Sequence, residues 1–483
     1  VLYFQGEDWW AFDVEDGESR NLTESLGVSF ADLEHDYPVE QLPPVGFRPA
    51  GWIDGDRAVL LRDAWDVWAV SPTGAGGHRL TDGSGEGIEY TVRVLDPEQD
   101  YFDSDRPLYL TLFGDRTKRS GFGRVRLELR DGLARGGGVE RLVLEDASLA
   151  GLAKASEAEV YAFAKQRFDD APDVFVAGPG LEDARQVTHT NPFQDDYAWG
   201  RSEVVDFVSD GGVDLQATLL YPAGYEAGQR YPMIVYTYER LSDGLHRYIV
   251  PTERSYYNYQ VWTQQGYFVL QPDIVYRPRD PGVSAVEAVV PAVQRIVDMG
   301  LVDPERVGLV GHSWGGYQAT YIPTRTDIFA ASVAGAPLTN FLSMDGAIHW
   351  RPGLPEFAHW ETGQARMGVP QWEDFEAHVR NSPAAHIMDL ETPMLMMFGD
   401  EDGTVDFRQG VEFYNYARRA GKEFVMLVYP GADHGLRQEA NQVDYHRRIL
   451  QWFGHYLKGE PAAPWMTEGV SWLQRKKELG GGT

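Results

Sequence analysis

LVGHSWGGYQAT, residues 309–320, sets a single serine among glycines where an apolar run gives way to a helix-like one. Arg306–Val310 reads as a buried strand that ends at Gly311, and Gly315-Gly316 opens a helix. Strand, sharp turn and helix in succession is the arrangement that exposes a strained serine at the end of a sheet strand. Glycine is needed at 311 and 315 because a side chain at either position would collide with the neighbouring strand and helix. One Gly-x-Ser-x-Gly match is weak by itself, so the flanking chain has to decide the fold.

Working outward, residues from about Ser202 alternate between short apolar runs and amphipathic ones. Glu203–Val208, Leu215–Tyr221, Tyr231–Tyr238, Tyr267–Ile274, Arg306–Val310, Phe329–Ala334, Met394–Phe398 and Phe424–Tyr429 read as strands. Ser284–Met299, Gly316–Tyr321, Phe407–Ala420 and Leu436–Leu457 read as helices between or after them. This alternation predicts a doubly wound, mostly parallel α/β sheet covered on both faces, with its site at the carboxyl ends of the strands.

A serine hydroxyl is a poor nucleophile near neutral pH and needs a base within hydrogen-bond reach. Downstream the chain supplies an acid and then a histidine, the order this architecture requires. The acid lies in GDEDGTVDF after Met394–Phe398, where Asp400, Asp402 and Asp406 compete, and the base is His434 in PGADHGL after Phe424–Tyr429. The Asp400–Asp402 run also hints at a calcium loop, but the remaining ligand positions and the closing glutamate of such a loop are missing.

The first two hundred residues have another character, strand-like, aromatic and broken by Gly, Asp and Pro. DWWAFDVEDGESRNLT (8–23), DVWAVSPTGAGGHRLT (66–81) and DVFVAGPGLEDARQVT (173–188) share an Asp, an aromatic two residues on, a turn, then Leu or Val followed by Thr. The closing threonines stand 58 and 107 residues apart, which leaves room for one more unit, and Arg124–Asp146 has the right hairpin character for it. Short-strand repeats of this period predict β-propeller blades, about four of them. So few blades, the first starting abruptly at Glu7, suggest half of a propeller whose N-terminal part is missing.

Composition narrows the function. The 73 acidic residues against 43 basic ones give a formal charge of −30, which disfavours nucleic acid and anionic membranes as partners. With no cysteine, disulfides, thiolate metal sites and cysteine nucleophiles are excluded. No run is apolar and long enough to span a bilayer, and the residues given at the N-terminus do not read as a signal peptide, any native export signal being expected to lie in whatever preceded them. Val1–Gly6, VLYFQG, looks like the remnant of a cleavable expression tag and is set aside from fold reasoning. Neither His-Glu-x-x-His nor a phosphate loop occurs, so no metal or other cofactor is expected.

Gly311-His312-Ser313-Trp314-Gly315-Gly316, Gly399-x-x-Asp402-x-x-Val405, His434-Gly435 and Asn381-Ser382-Pro383 together resemble the catalytic domain of the prolyl oligopeptidase family of serine peptidases. The resemblance runs over roughly residues 173–458 and implies a β-propeller followed by an α/β-hydrolase domain. It implies Ser313 as nucleophile, Asp402 rather than its neighbours as orienting acid, and His434 as general base. The Trp314 backbone N–H and the Tyr238 hydroxyl are then the oxyanion donors, and His312 is a packing residue of the turn. Glu239-Arg240 departs from the small, glycine-containing pair usual in the family, which raises the expectation that Glu239 contacts substrate.

The segment 341–367, with His349, Trp350, Trp360, Glu361, Gln364 and Arg366, falls where related enzymes line the pocket before the scissile bond. Trp350, Trp360 and Gln364 are the candidates there. The resulting division is a tag remnant at 1–6, blades at 7–200 and a catalytic domain at 201–483. A serine peptidase acting on short peptides is the leading reading. A carboxylesterase on the same residues and a degenerate, non-catalytic interaction module are the alternatives. The compartment is left open with export favoured, and so is homo-oligomerisation.

Overall fold

The computed structural model describes residues 1–32, 44–130 and 133–470. The chain forms two compact units, Val1–Tyr197 with Asp243–Tyr248, and Ala198–Ser242 with Ile249–Thr483.

The second unit is built on one eight-stranded sheet. Its strands are β1 (Ser202–Val208), β2 (Asp214–Leu220), β3 (Tyr231–Tyr236), β4 (Phe268–Pro272), β5 (Val302–His312), β6 (Ala331–Gly335), β7 (Met394–Gly399) and β8 (Phe424–Tyr429). They lie in the order β1-β2-β4-β3-β5-β6-β7-β8. The β1–β2 and β2–β4 pairs are antiparallel. From β4 to β8 every pairing is parallel. All eight strands foreseen from the sequence are present.

Helices cover both faces, which explains why β6 and β7 are buried along their whole length. Pro281–Asp298, between β4 and β5, buries Ala285, Ala288, Val289, Ala292, Val293 and Ile296 at helical spacing. It starts three residues before the sequence pattern suggested, because Pro281 already has the φ of a first helical position. Glu439–Lys458 packs on β5 so closely that a Cβ at Gly308 would strike the Phe453 ring. β3 stops at Tyr236, two residues short of the expected strand end, which leaves Thr237 and Tyr238 in the turn that follows.

Among the described residues the first unit shows four antiparallel sheets, each of strands consecutive in the chain, the blade pattern of a β-propeller. They run over residues 2–21, 51–79, 88–145 and 148–186. Strand alternation joins each to the next. Val59 and Leu61 pack with Trp9 and Trp68 of one core cluster, whereas Leu60 between them packs with Leu110 and Val125 of another. In the third sheet Leu108, Leu110 and Leu112 face back to that second cluster, and Tyr109 faces on to Leu149 and Phe163.

The sequence repeat proves to be a clasp. Thr23, Thr81 and Thr188 each donate their hydroxyl to the Asp fifteen residues earlier, at 2.6, 2.5 and 2.6 Å. Each also accepts the backbone N–H of the residue after that Asp. The second carboxylate oxygen faces a side chain two residues before the threonine: Asn21, Arg79 and Gln186 respectively. Each clasp ties a blade's inner strand to its closing one and satisfies polar groups that would otherwise be costly to bury. The third sheet closes differently, through long strands Ser120–Arg130 and Leu133–Glu145, with Ser120 Oγ donating to the Ala147 carbonyl and accepting from Leu149 N–H. Residues 33–43 and 131–132, assigned to the blades, and 471–483, assigned to the catalytic domain, lie outside the described residues.

One departure concerns Val1–Gly6. Leu2–Gln5 pairs antiparallel with Asp8–Phe12, Tyr3 stacks on Trp10, and Phe4 meets Trp9 edge-on. A short aromatic segment beside an open sheet edge finds backbone partners there.

Candidate active site

Ser313 sits between β5 and the helix Trp314–Tyr321 with φ 59° and ψ −117°. A non-glycine residue at positive φ is strained, and here the surroundings hold it. Its N–H donates to the Gly335 carbonyl of β6 at 2.8 Å, and its carbonyl accepts from Tyr317 N–H at 2.9 Å. A Cβ at Gly311 would strike the Gly315 carbonyl, and one at Gly315 would strike the Thr237 carbonyl. The crowding expected at these two glycines is therefore crowding against backbone, which cannot yield.

Because β5, β7 and β8 run parallel in one half of the sheet, the loops after them open on the same edge. His434, after β8, brings Nε2 to 2.8 Å from Ser313 Oγ and Nδ1 to 2.8 Å from Asp402 Oδ2. Asp402 is 6 % exposed, and its Oδ1 accepts the N–H groups of Thr404 and Val405 at 2.8 and 2.9 Å. A carboxylate so held keeps its orientation without a side-chain cation. Asp400 and Asp406 are engaged elsewhere, with Gly431 N–H at 2.6 Å and Arg408 N–H at 2.9 Å.

The neighbouring Asp433 takes no part in that line but fixes it. Its Oδ1 accepts from His434 N–H at 2.7 Å and Gly403 N–H at 3.1 Å, and Oδ2 pairs with Arg351 at 2.5 Å. Burial alone would raise the Asp433 carboxyl; the two N–H groups and the Arg351 guanidinium outweigh it and hold the value below the usual carboxylate range. Neither Asp433 nor Arg351 was singled out from the sequence, where an acid beside a candidate histidine and a lone arginine 82 residues away carry no joint signal.

His312 turns toward Tyr257, with Nδ1 3.4 Å from the hydroxyl, and its ring centroid lies 5.0 Å from that of His434. Burial, reinforced by the adjacent His434, pushes its pKa down to about 3, so it is neutral wherever His434 could act as a base.

Tyr238 packs against the same turn, its ring 3.3 Å from where a Gly315 Cβ would stand. Its carbonyl accepts from Tyr276 at 2.7 Å and from Gln318 of the serine's own helix. Trp314 opens that helix, where the first backbone N–H groups have no intrahelical acceptor, while its indole is buried and donates to Tyr276 at 3.1 Å. Gln364 Nε2 lies 3.4 Å from the Tyr238 hydroxyl and 3.3 Å from Glu239 Oε1. The same Glu239 oxygen pairs with the buried Arg366 at 3.1 Å, and that guanidinium lies 4.1 Å over the Tyr276 ring. Glu239 is thus already committed to a buried cation. Tyr276, Gln318 and Arg366 are the supporting residues that position this group. In the sequence Arg366 stands out only as a member of the segment 341–367.

The other pocket candidates separate. Trp350 is 60 % exposed. Trp360 is corrected to a core residue: it is 1 % exposed and meets Phe341 edge-on at 4.6 Å, which leaves no face for a ligand. Asn381-Ser382-Pro383 serves as a brace. Asn381 accepts from Gly282 N–H and donates to the Arg279 carbonyl, while Ser382 accepts from Phe341 N–H and donates to the His378 carbonyl. Among the described residues no helix is long and apolar enough to cross a membrane.

Comparison with known proteins converges on the same segment. Residues 253–460 match the model of the prolyl oligopeptidase family. The chain is 26% identical over 293 residues to the acylamino-acid-releasing enzyme of Rattus norvegicus, covering 58% of this chain and 37% of that one. It is 26% identical over 269 residues to dipeptidyl-peptidase 5 of Porphyromonas gingivalis, covering 52% and 37%. The chain spans less than half the length of the curated relatives it matches. The crystal structure of Pyrococcus horikoshii acylaminoacyl peptidase aligns with 95% of this chain and 68% of its own at a TM-score of 0.60 and 15% identity, a likeness of fold. The family match lies across the serine turn and the loops after β7 and β8, so the segment that carries the site is the one similar to the prolyl oligopeptidase family, while the solved structure shares the fold of blade-like sheets ahead of an α/β-hydrolase sheet.

Proposed function

We propose that this protein is a serine peptidase that hydrolyses short peptides through an acyl-enzyme on Ser313. The observation that carries the reading is the unbroken line from Ser313 Oγ to His434 to the buried Asp402, with 2.8 Å at each step. His434 Nδ1–H donates to Asp402, which leaves Nε2 as the acceptor for the serine proton. As Ser313 Oγ attacks the carbonyl carbon, His434 takes that proton and the C=O π-pair moves onto oxygen. The Trp314 N–H and the Tyr238 hydroxyl stabilise this oxyanion. The tetrahedral intermediate collapses with cleavage of the C–N bond, and His434 returns the proton to the leaving amine. Water, deprotonated by the same imidazole, then attacks the ester, and Ser313 leaves with its proton restored.

Peptides rather than other acyl donors are supported by the family match and by relatives named for releasing acylamino acids and dipeptides. The test has two parts. A fluorophosphonate probe should label the wild type and not Ser313→Ala; absence of labelling, or equal labelling of both, removes the catalytic reading. A panel of peptide and ester chromogens should show the higher kcat/KM for peptides. Turnover of esters alone would make the protein a carboxylesterase on the same residues.

A further inference from the structure

The segment 348–359 folds into a hairpin, Ile348–His349 paired with Leu354–Pro355, which runs directly into the short helix Phe357–Glu361. This turn of chain gathers His349, Glu356 and His359. His349 Nδ1 stands 3.2 Å from Glu356 Oε1, His359 Nδ1 stands 3.0 Å from Glu356 Oε2, and the three donor atoms lie within 4.8 Å of one another. Glu356 is 1 % exposed, and its Oε1 receives no hydrogen bond. A buried carboxylate with an unmet oxygen is costly unless a cation reaches it. Among the described residues no lysine or arginine is within ion-pair distance of Glu356; only the two imidazoles are.

We propose that His349, Glu356 and His359 form a binding site for a divalent transition-metal ion of the zinc class. Metal–ligand bonds of about 2.0–2.2 Å at tetrahedral angles place donors about 3.3 Å apart; each imidazole stands near that distance from a different oxygen of Glu356, at 3.2 and 3.0 Å, and the three donor atoms lie within 4.8 Å of one another, so small side-chain rotations would complete the set. Two imidazole nitrogens and one carboxylate oxygen form a borderline donor set that suits zinc, cobalt or nickel better than calcium or magnesium, and three protein ligands leave a fourth position for water. The chemistry expected is structural. His349 lies two residues from Arg351, whose N–H donates to the Gly403 carbonyl at 2.8 Å and whose guanidinium holds Asp433. Gly403 adjoins Asp402 and Asp433 adjoins His434, so a metal that stiffens the hairpin stiffens the latch on both loops. Motif reading missed the site because the spacing of these three residues matches no metal signature and only the hairpin turn makes them neighbours.

The test uses the intact chain after chelation and dialysis. Titration with Zn²⁺ by calorimetry should give one saturable equivalent, and Co²⁺ should give the visible ligand-field absorption of a tetrahedral site that Zn²⁺ then displaces. His359→Ala, at the most exposed ligand, should weaken binding by ~10-fold or more and abolish the Co²⁺ spectrum, and His349→Ala should do the same. Glu356→Gln risks the fold, so the exposed variants carry the result. His434→Ala should retain the equivalent, which separates this site from the serine's own histidine. Hydrogen exchange at 348–359 should slow on Zn²⁺ addition. Absence of a stoichiometric equivalent, or unchanged binding in both histidine variants, overturns the proposal, and neither readout depends on turnover.

Discussion

The two units of this chain solve the problem of buried polar groups at different ranges. In the first, each Asp and the Thr that clasps it are fifteen residues apart and belong to one sheet of consecutive strands. In the second, Ser313 and His434 are 121 residues apart, and a sheet order that skips β4 past β3 is needed before their loops share an edge. Local closure repeats and leaves a pattern in the sequence. Long-range closure occurs once and leaves only an ordered set of candidates.

If that contrast is sound, damage to the long-range group should remove chemistry without stability, and damage to a clasp should do the reverse. Ser313→Ala should lower kcat by about 10⁶-fold while the thermal midpoint stays within a few degrees, read by stopped assays and calorimetry. Asp402→Asn keeps an acceptor for Thr404 and Val405 N–H but presents the wrong imidazole tautomer, and should cost about 10⁴ in kcat. Tyr238→Phe removes the hydroxyl proposed as an oxyanion donor and should lower kcat by about 10²-fold with little change in KM; a change confined to KM would make the tyrosine a binding residue instead.

On the clasp side, Thr81→Val strips a hydroxyl from the buried Asp66 and should destabilise the first unit by about 2 kcal/mol, visible as faster hydrogen exchange along Val67–Val70. The same change at the more exposed Thr188 should cost less. Equal costs at the two positions would mean that burial does not set the strength of the clasp.

The smallest effect concerns His312. Its folded pKa of about 3 lies below the ordinary 6.5, so between those values the unfolded chain binds a proton that the folded one refuses. Its contribution to stability is therefore intact above pH 6.5 and declines as pH falls through that window. His312→Gln should keep about 1 kcal/mol more of its neutral-pH stability than the wild type at pH 5.5, measured from urea midpoints.

Much of the α/β fold was legible because buried parallel strands are written as apolar runs, and their ends shifted by only a few residues. Trp360 shows the limit. As letters, Trp350 and Trp360 are equivalent aromatics in one loop-rich segment; packing against Phe341 buries one and leaves the other in water. Arg351 and Asp433 show it again, since an ion pair across 82 residues has no local signature.

By itself the sequence determined the serine turn, the strand series and the fifteen-residue Asp–Thr spacing, because steric demands on glycine, burial and nearby hydrogen bonds act between residues close along the chain. Among the three loop aspartates only the motif resemblance pointed to Asp402, and the tertiary structure alone decided that its carboxylate faces His434, which tryptophan is core, and that His349, Glu356 and His359 meet. Those outcomes depend on backbone direction in loops and on distances across the sheet, which residue identities do not encode one at a time.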